Sequence, residues 1–157
     1  MAFQDRLRRW ADAELDARQV EVDRQDSAEK TEQSRISSNL RRARRTFIAW
    51  QVEQTFRDVE TALRRIHGAA PGGRAKFTSR GGSAWISATA GTERGWSEHE
   101  QRMNTTAMIY LYLAYDGRTD ILTIKAYGEG VNANETGPLS NWTQKRLESV
   151  LLLAVGA

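Results

Sequence analysis

The chain has 157 residues, no cysteine, 23 Lys and Arg against 20 Asp and Glu, and 39% apolar residues. A chain of this size buries roughly 70% of its unfolded surface, enough for one real core. The lack of cysteine excludes disulfides, thiolate metal sites and a cysteine nucleophile.

Nineteen of the 23 bases are arginine, a bias that a GC-rich genome supplies by default. Met1 to Trp10 is charged and lacks the apolar run of a secretory signal. The most apolar stretch, Val150 to Val155, falls far short of the roughly 20 residues that span a bilayer. A cytoplasmic protein with no membrane association is the expectation.

From Met1 to His67 there is neither proline nor glycine, which favours helix. A first apolar pattern, Phe3, Leu7, Trp10, Ala11 and Leu15, steps by three and four and marks an amphipathic helix. Between Asp23 and Arg35 the only apolar side chain is Ala28, so this stretch is either a solvated helical bridge or a hinge. A second pattern runs Ile36, Leu40, Ala43 and Phe47, then Val52, Phe56, Val59, Leu63 and Ile66, with the last five at the spacing of a coiled-coil seam. Arg64, Arg65 and His67 suit the negative end of a helix dipole, and Gly68 suits a C-cap.

The second half reads as an antiparallel sheet closed by a helix. Arg74 to Arg80 and Ser83 to Ala90 flank Gly81-Gly82, a hairpin signal. Ala84, Ile86, Ala88 and Ala90 make one small apolar face opposite Trp85, Ser87 and Thr89. Gly91 to Asn104 reads as a loop. The almost wholly apolar Ala107 to Tyr115 suits a central strand covered on both faces. Asp116-Gly117 turns the chain into Ile121 to Tyr127. A polar connection follows, and Ser140 is placed to cap a last helix with Trp142, Leu147, Val150, Leu151 and Ala154 on its inner face.

The expected fold is therefore α+β: a long N-terminal helical arm (1–70, with 23–35 either helix or hinge), then a module (71–157) of a four-stranded, mainly antiparallel sheet and a C-terminal helix. A helix from Arg35 to His67 would be roughly 50 Å long, against about 30 Å for a compact domain made of the rest. Its seam (Ile36, Leu40, Phe47, Val52, Phe56, Val59, Leu63, Ile66) would then need cover from the first helix folded back as a hairpin or from the same helix of a second copy; with only about five apolar positions on the first helix, a homodimer or higher oligomer is the preferred expectation. Charge is segregated in the same sense. Residues 1 to 34 carry nine acids and six bases, while Arg35 to Arg45 holds five bases and no acid.

Function classes divide accordingly. The first expectation is a non-catalytic assembly or adaptor protein that pairs with itself, or docks an unknown protein partner, through the long helix. The second is nucleic-acid contact through Arg35, Arg41, Arg42, Arg44 and Arg45, whose heads suit successive phosphates. If Tyr110 and Tyr112 share a side with Thr123, Lys125 and Tyr127, they form a platform that stacks bases; burial under a helix is the reading preferred for them. An enzyme would rest on His99, between Glu98 and Glu100, as acid, base or ligand. No His-x-x-x-His pair occurs, and neither Gly72-Gly73 nor Gly128-Glu129-Gly130 has a phosphate-loop lysine or dinucleotide spacing, so no metal or cofactor is expected.

Overall fold

The computed structural model describes residues 2–70, 73–91, 95–97, 102–104, 108–128 and 130–157. The chain is an α+β protein with a long N-terminal helix, an antiparallel sheet of five strands rather than four, and a C-terminal helix. Its helices are α1 (Phe3–Ala49), α2 (Val52–His67) and α3 (Gln144–Val155). The strands are β1 (Thr78–Arg80), β2 (Ser83–Ala90), β3 (Gly95–Ser97), β4 (Arg102–Asn104), β5 (Ile109–Asp116), β6 (Ile121–Tyr127) and β7 (Ala133–Pro138). Internal contacts divide the chain into residues 1–36 and 37–157, a boundary inside α1 rather than near residue 70.

The first unit is helical throughout, including residues 23–35. With few apolar residues there, its local support is ionic. Arg24 reaches Glu21 at 2.6 Å, Arg35 reaches Glu32 at 2.6 Å, and Gln19 donates to Asp23 at 3.0 Å. Such pairs contribute only about 0.2–0.5 kcal/mol each.

In the second unit the main sheet has the order β1-β2-β5-β6-β7, antiparallel throughout, while β3 and β4 pair as a separate two-stranded ribbon where a loop was expected. Gly81 and Gly82 close the β1–β2 hairpin with φ of 60° and 89°, values that suit glycine in a two-residue turn. Strand β7, read from sequence as a polar connection, is an edge strand along β6. Its proline is its final residue, where no ladder hydrogen bond is lost inside the sheet.

One sheet face holds Ile86, Ala88, Ile109, Leu111, Leu113, Tyr115, Leu122 and Ile124, all buried. Against it pack Ala43 and Phe47 of α1, Val52, Phe56 and Leu63 of α2, and Leu147, Leu151 and Ala154 of α3. Fully burying side chains of the Leu, Val or Phe type contributes about 1.5–3 kcal/mol each. Phe47 stacks on Phe77 at 5.3 Å between ring centres and meets Tyr115 edge-on at 6.0 Å. The α3 helix is capped by Thr143, whose side chain accepts the Arg146 amide at 3.1 Å. Ser140, the expected cap, lies one turn earlier in a short 3-10 segment, Leu139–Asn141.

The single helix expected over Arg35 to His67 is broken at Trp50-Gln51. Gln51 adopts a left-handed conformation (φ 53°, ψ 42°), and its carbonyl accepts the Thr55 amide at 3.0 Å as α2 starts. The two helical pieces can thus both lay apolar residues on the sheet. A non-glycine residue in this conformation costs about 1–2 kcal/mol, which the flanking burial of Phe47 and Val52 exceeds.

Two polar ties hold the helices in place. Asn39 donates to the Gly117 carbonyl at 2.8 Å, and Arg42 reaches Asp120 at 2.7 Å, so the last turns of α1 are fastened to the β5–β6 turn. Asp120, itself at φ 58°, also accepts the Tyr115 hydroxyl. The second tie is Glu60, 1% exposed, whose Oε1 accepts the Ala75 amide and whose Oε2 accepts the Thr89 amide, each at 3.0 Å. Arg74 lies 3.2 Å and Arg64 3.6 Å from the same carboxylate. Arg64 also donates Nε to the Thr89 carbonyl at 2.9 Å. A buried carboxylate is tolerated when its oxygens are filled in this way, and this one binds α2 to the end of β2 and to the segment before β1.

Two stability measurements follow from these features. Replacing Glu60 by Gln should lower the unfolding free energy by about 3 kcal/mol in denaturant titration, because Arg64 and Arg74 lose their counter-charge and one amide its acceptor. A loss below about 1 kcal/mol would contradict that role. Gln51→Val should destabilise by about 1–2 kcal/mol relative to Gln51→Gly, because a β-branched residue resists the left-handed region; equal stability of the two variants would argue against a break at this residue.

Candidate functional site

Of the eight residues expected at an oligomer seam, Phe47, Val52, Phe56 and Leu63 are buried in the chain's own core, and Leu40 and Val59 pack partly buried against it. Ile36 is buried and Ile66 is exposed. The break at Gln51 is the physical reason: it turns most of the seam onto the sheet. Exposed apolar side chains remain in both units, Ile48, Ile66, Leu152 and Leu153 in the second and a larger set in the first. Phe3, Leu7, Trp10, Leu15 and Val20 each expose at least half of their surface, and no side chain described before Ile36 is fully buried.

The basic stretch is partly consumed as well. Arg35 binds Glu32, Arg42 binds Asp120, and Arg44 donates to the Ser79 hydroxyl at 3.2 Å. The Asp120 carboxylate holds the Arg42 guanidinium further above its ordinary pKa. Arg41 and Arg45, one turn apart, are exposed and have no ion pair among the described residues. Two such heads are fewer than the six to ten phosphate contacts that give strong salt dependence.

The face of the sheet opposite the helices is open. Because β2, β5 and β6 are paired in register, Trp85, Ser87, Tyr110, Tyr112, Ala114, Thr123, Lys125 and Tyr127 all stand on that side. Trp85 is 37%, Tyr110 42% and Tyr127 50% exposed, and Tyr112 is half-buried. The expectation that β5 is covered on both faces is therefore wrong: its residues alternate between the core and this outer side. The grouping of Tyr110, Tyr112, Thr123, Lys125 and Tyr127 does occur. Trp85 completes it and was not included from sequence, although it alternates out of phase with the Ala84, Ile86, Ala88 face.

Small residues shape this surface into a trough of about 670 Å³. Ala114, Ser87 and Ser83 leave space at the floor, Trp85 and the three tyrosines stand beside it, and Asp116, Thr119 and Ile121 close one end. Tyr112 and Tyr127 brace each other, with ring centres 5.9 Å apart, planes inclined at 37° and hydroxyls 3.4 Å apart. That contact and partial burial raise the Tyr112 pKa, so its phenol stays neutral and available as a hydrogen-bonding group. At the edge of the row, Gly128 (φ 124°) passes so close to Ile109 that a Cβ there would lie 2.9 Å from the Ile109 Cα. Only glycine lets β6 end at this spot beside the start of β5.

His99, Glu98 and Glu100 lie outside the described residues. Among the described residues no cluster of three His, Cys, Asp or Glu is arranged to hold a metal ion. No helix among them is long and apolar enough to cross a membrane. Comparison with family models, with curated proteins and with solved structures finds no match to this chain.

The remaining phosphate-contact reading has a direct check. If Arg41 and Arg45 grip nucleic acid, the parent chain is retained on a DNA or RNA column at low salt, and replacing both by Glu abolishes retention. The ion pairs of Arg35 and Arg42 and the Arg44–Ser79 bond lead us to expect weak retention, lost below physiological salt. Retention at physiological salt that survives the double substitution would show that these arginines are not the contact.

Proposed function

We propose that the chain is a non-catalytic assembly or adaptor protein that pairs with a second copy of itself through residues 1–36. The observation that carries this reading is the bare apolar stripe of the first unit: Phe3, Leu7, Trp10 and Leu15 at least half exposed on a helix with no fully buried side chain described before Ile36. Isolated helices take most of their stability from a packed face, and the few-tenths contributions of its ion pairs do not replace one. An apolar stripe of this kind is what a partner helix covers.

A second copy fits by charge as well as by apolarity. Met1 to Trp10 carries three arginines against one acid, whereas Asp12 to Glu32 carries eight acids against three bases. An antiparallel pair centred between Asp12 and Ala13 sets Phe3 against Val22 and Trp10 against Leu15, each contact occurring twice by two-fold symmetry.

Light scattering on the full chain tests this. The parent should have about twice the 17.7 kDa mass of one chain at low micromolar concentration. Leu7→Glu and Leu15→Glu should each shift the protein toward monomer, and the two together should do so more completely. A monomer at every concentration, or a dimer indifferent to all three variants and to Trp10→Ser, would overturn the proposal.

A further inference from the structure

We propose that the trough on the outer face of the sheet binds a neutral saccharide, a short chain of hexose-type rings. The site lies wholly within 37–157 and is independent of how residues 1–36 pair. At about 670 Å³ it falls within the roughly 300–1,000 Å³ of ligand-binding clefts.

The chemistry of the lining selects the ligand class. Among the described lining residues there is no lysine or arginine, and Asp116 is the one charged group. Lys125 stands on the same face between Thr123 and Tyr127 but is not among the lining residues, so a phosphate- or carboxylate-bearing ligand in the trough would lose its hydration beside Asp116 and meet at most this one cation at the margin, which is unfavourable. A nucleic-acid strand is disfavoured further because Arg41 and Arg45 belong to α1, whose Ala43 and Phe47 pack against the opposite face of the sheet. The ligand that fits is neutral.

It must also present both apolar faces and many hydroxyls. Trp85 and Tyr110, with the braced pair Tyr112 and Tyr127, offer flat ring faces whose negative quadrupole attracts the polarised C–H bonds on the face of a sugar ring. The hydroxyls of Ser83, Ser87 and Thr119 line the same space and have no hydrogen-bond partner among the described residues. Each can donate and accept, as sugar hydroxyls do. A purely apolar occupant, such as an acyl chain, would strip water from these hydroxyls and give nothing back. The Asp116 carboxylate, whose Oδ1 accepts the Arg118 amide at 2.9 Å, is an acceptor at the end of the trough of the kind that takes sugar hydroxyl donors.

Titration calorimetry on the full chain with cellohexaose, chitohexaose and maltohexaose as probes tests the assignment. At least one should bind saturably. Trp85→Ala and Tyr110→Ala, made separately on exposed positions, should each weaken that binding about tenfold without moving the thermal midpoint. Ser87→Val should weaken it severalfold. If Trp85→Ala does not fold, Tyr110→Ala carries the same test. Three results overturn the proposal: no saturable binding of any probe up to about 10 mM, binding unchanged in the Trp85 and Tyr110 variants, or a uridine dodecamer displacing the sugar and binding through Trp85 more tightly than it.

Discussion

The fold depends on one constraint: its sheet is apolar on a single face, and every long apolar row that the helices of the 37–157 unit possess is spent on that face. Ala43 and Phe47 of α1, Val52, Phe56 and Leu63 of α2, and Leu147, Leu151 and Ala154 of α3 converge on Ile86, Leu111, Leu113, Leu122 and Ile124. Burial of this kind is the dominant favourable term in folding, so it decides where the helices go and tolerates local costs. Gln51 in a left-handed conformation is one such cost. The burial of Glu60 is another, offset by two backbone amides and two arginines.

Two consequences bear on function. Because most of the seam of the second helical pattern is used internally, the exposed apolar residues include those of the first pattern, Phe3 to Leu15, with Val20 and Val22, beside Ile48, Ile66, Leu152 and Leu153. Because the helices gather on one side, the other side of the sheet stands open with Trp85, Tyr110 and Tyr127 exposed. Charge is distributed to match. Two of the arginines read as a phosphate grip serve as fasteners instead, Arg42 to Asp120 and Arg44 to Ser79, while Arg64 and Arg74 hold Glu60. The open trough is left without a cation among its described lining residues.

Much of the architecture was legible in the sequence. The helical first half, the glycine hairpin at 81–82, the inner faces of β2 and β6 and the apolar face of α3 all follow from periodicity and turn chemistry. What was not legible has physical reasons. The break at Trp50-Gln51 carries no glycine or proline, because tertiary burial rather than local preference imposes it. Strand β7, Ala133–Pro138, is polar because it is an edge, so it lacks the alternation that marks a half-buried strand. The outer face of β5 reads as buried because tyrosine and alanine are ambiguous between core and platform, and only the register with β6 decides it. Glu60 was hidden among seam residues; its Arg64 partner one turn later was the available signal.

The central claim is that apolar burial is internal for residues 37–157 and external for residues 1–36. Native-state amide hydrogen exchange, followed as the protein is diluted, tests it most directly. Protection in β2, β5, β6, α2 and the end of α1 should be independent of protein concentration, while protection of residues 3–35 should fall as the concentration drops. Arm protection that is unchanged by dilution, or core protection that falls with it, would contradict the account.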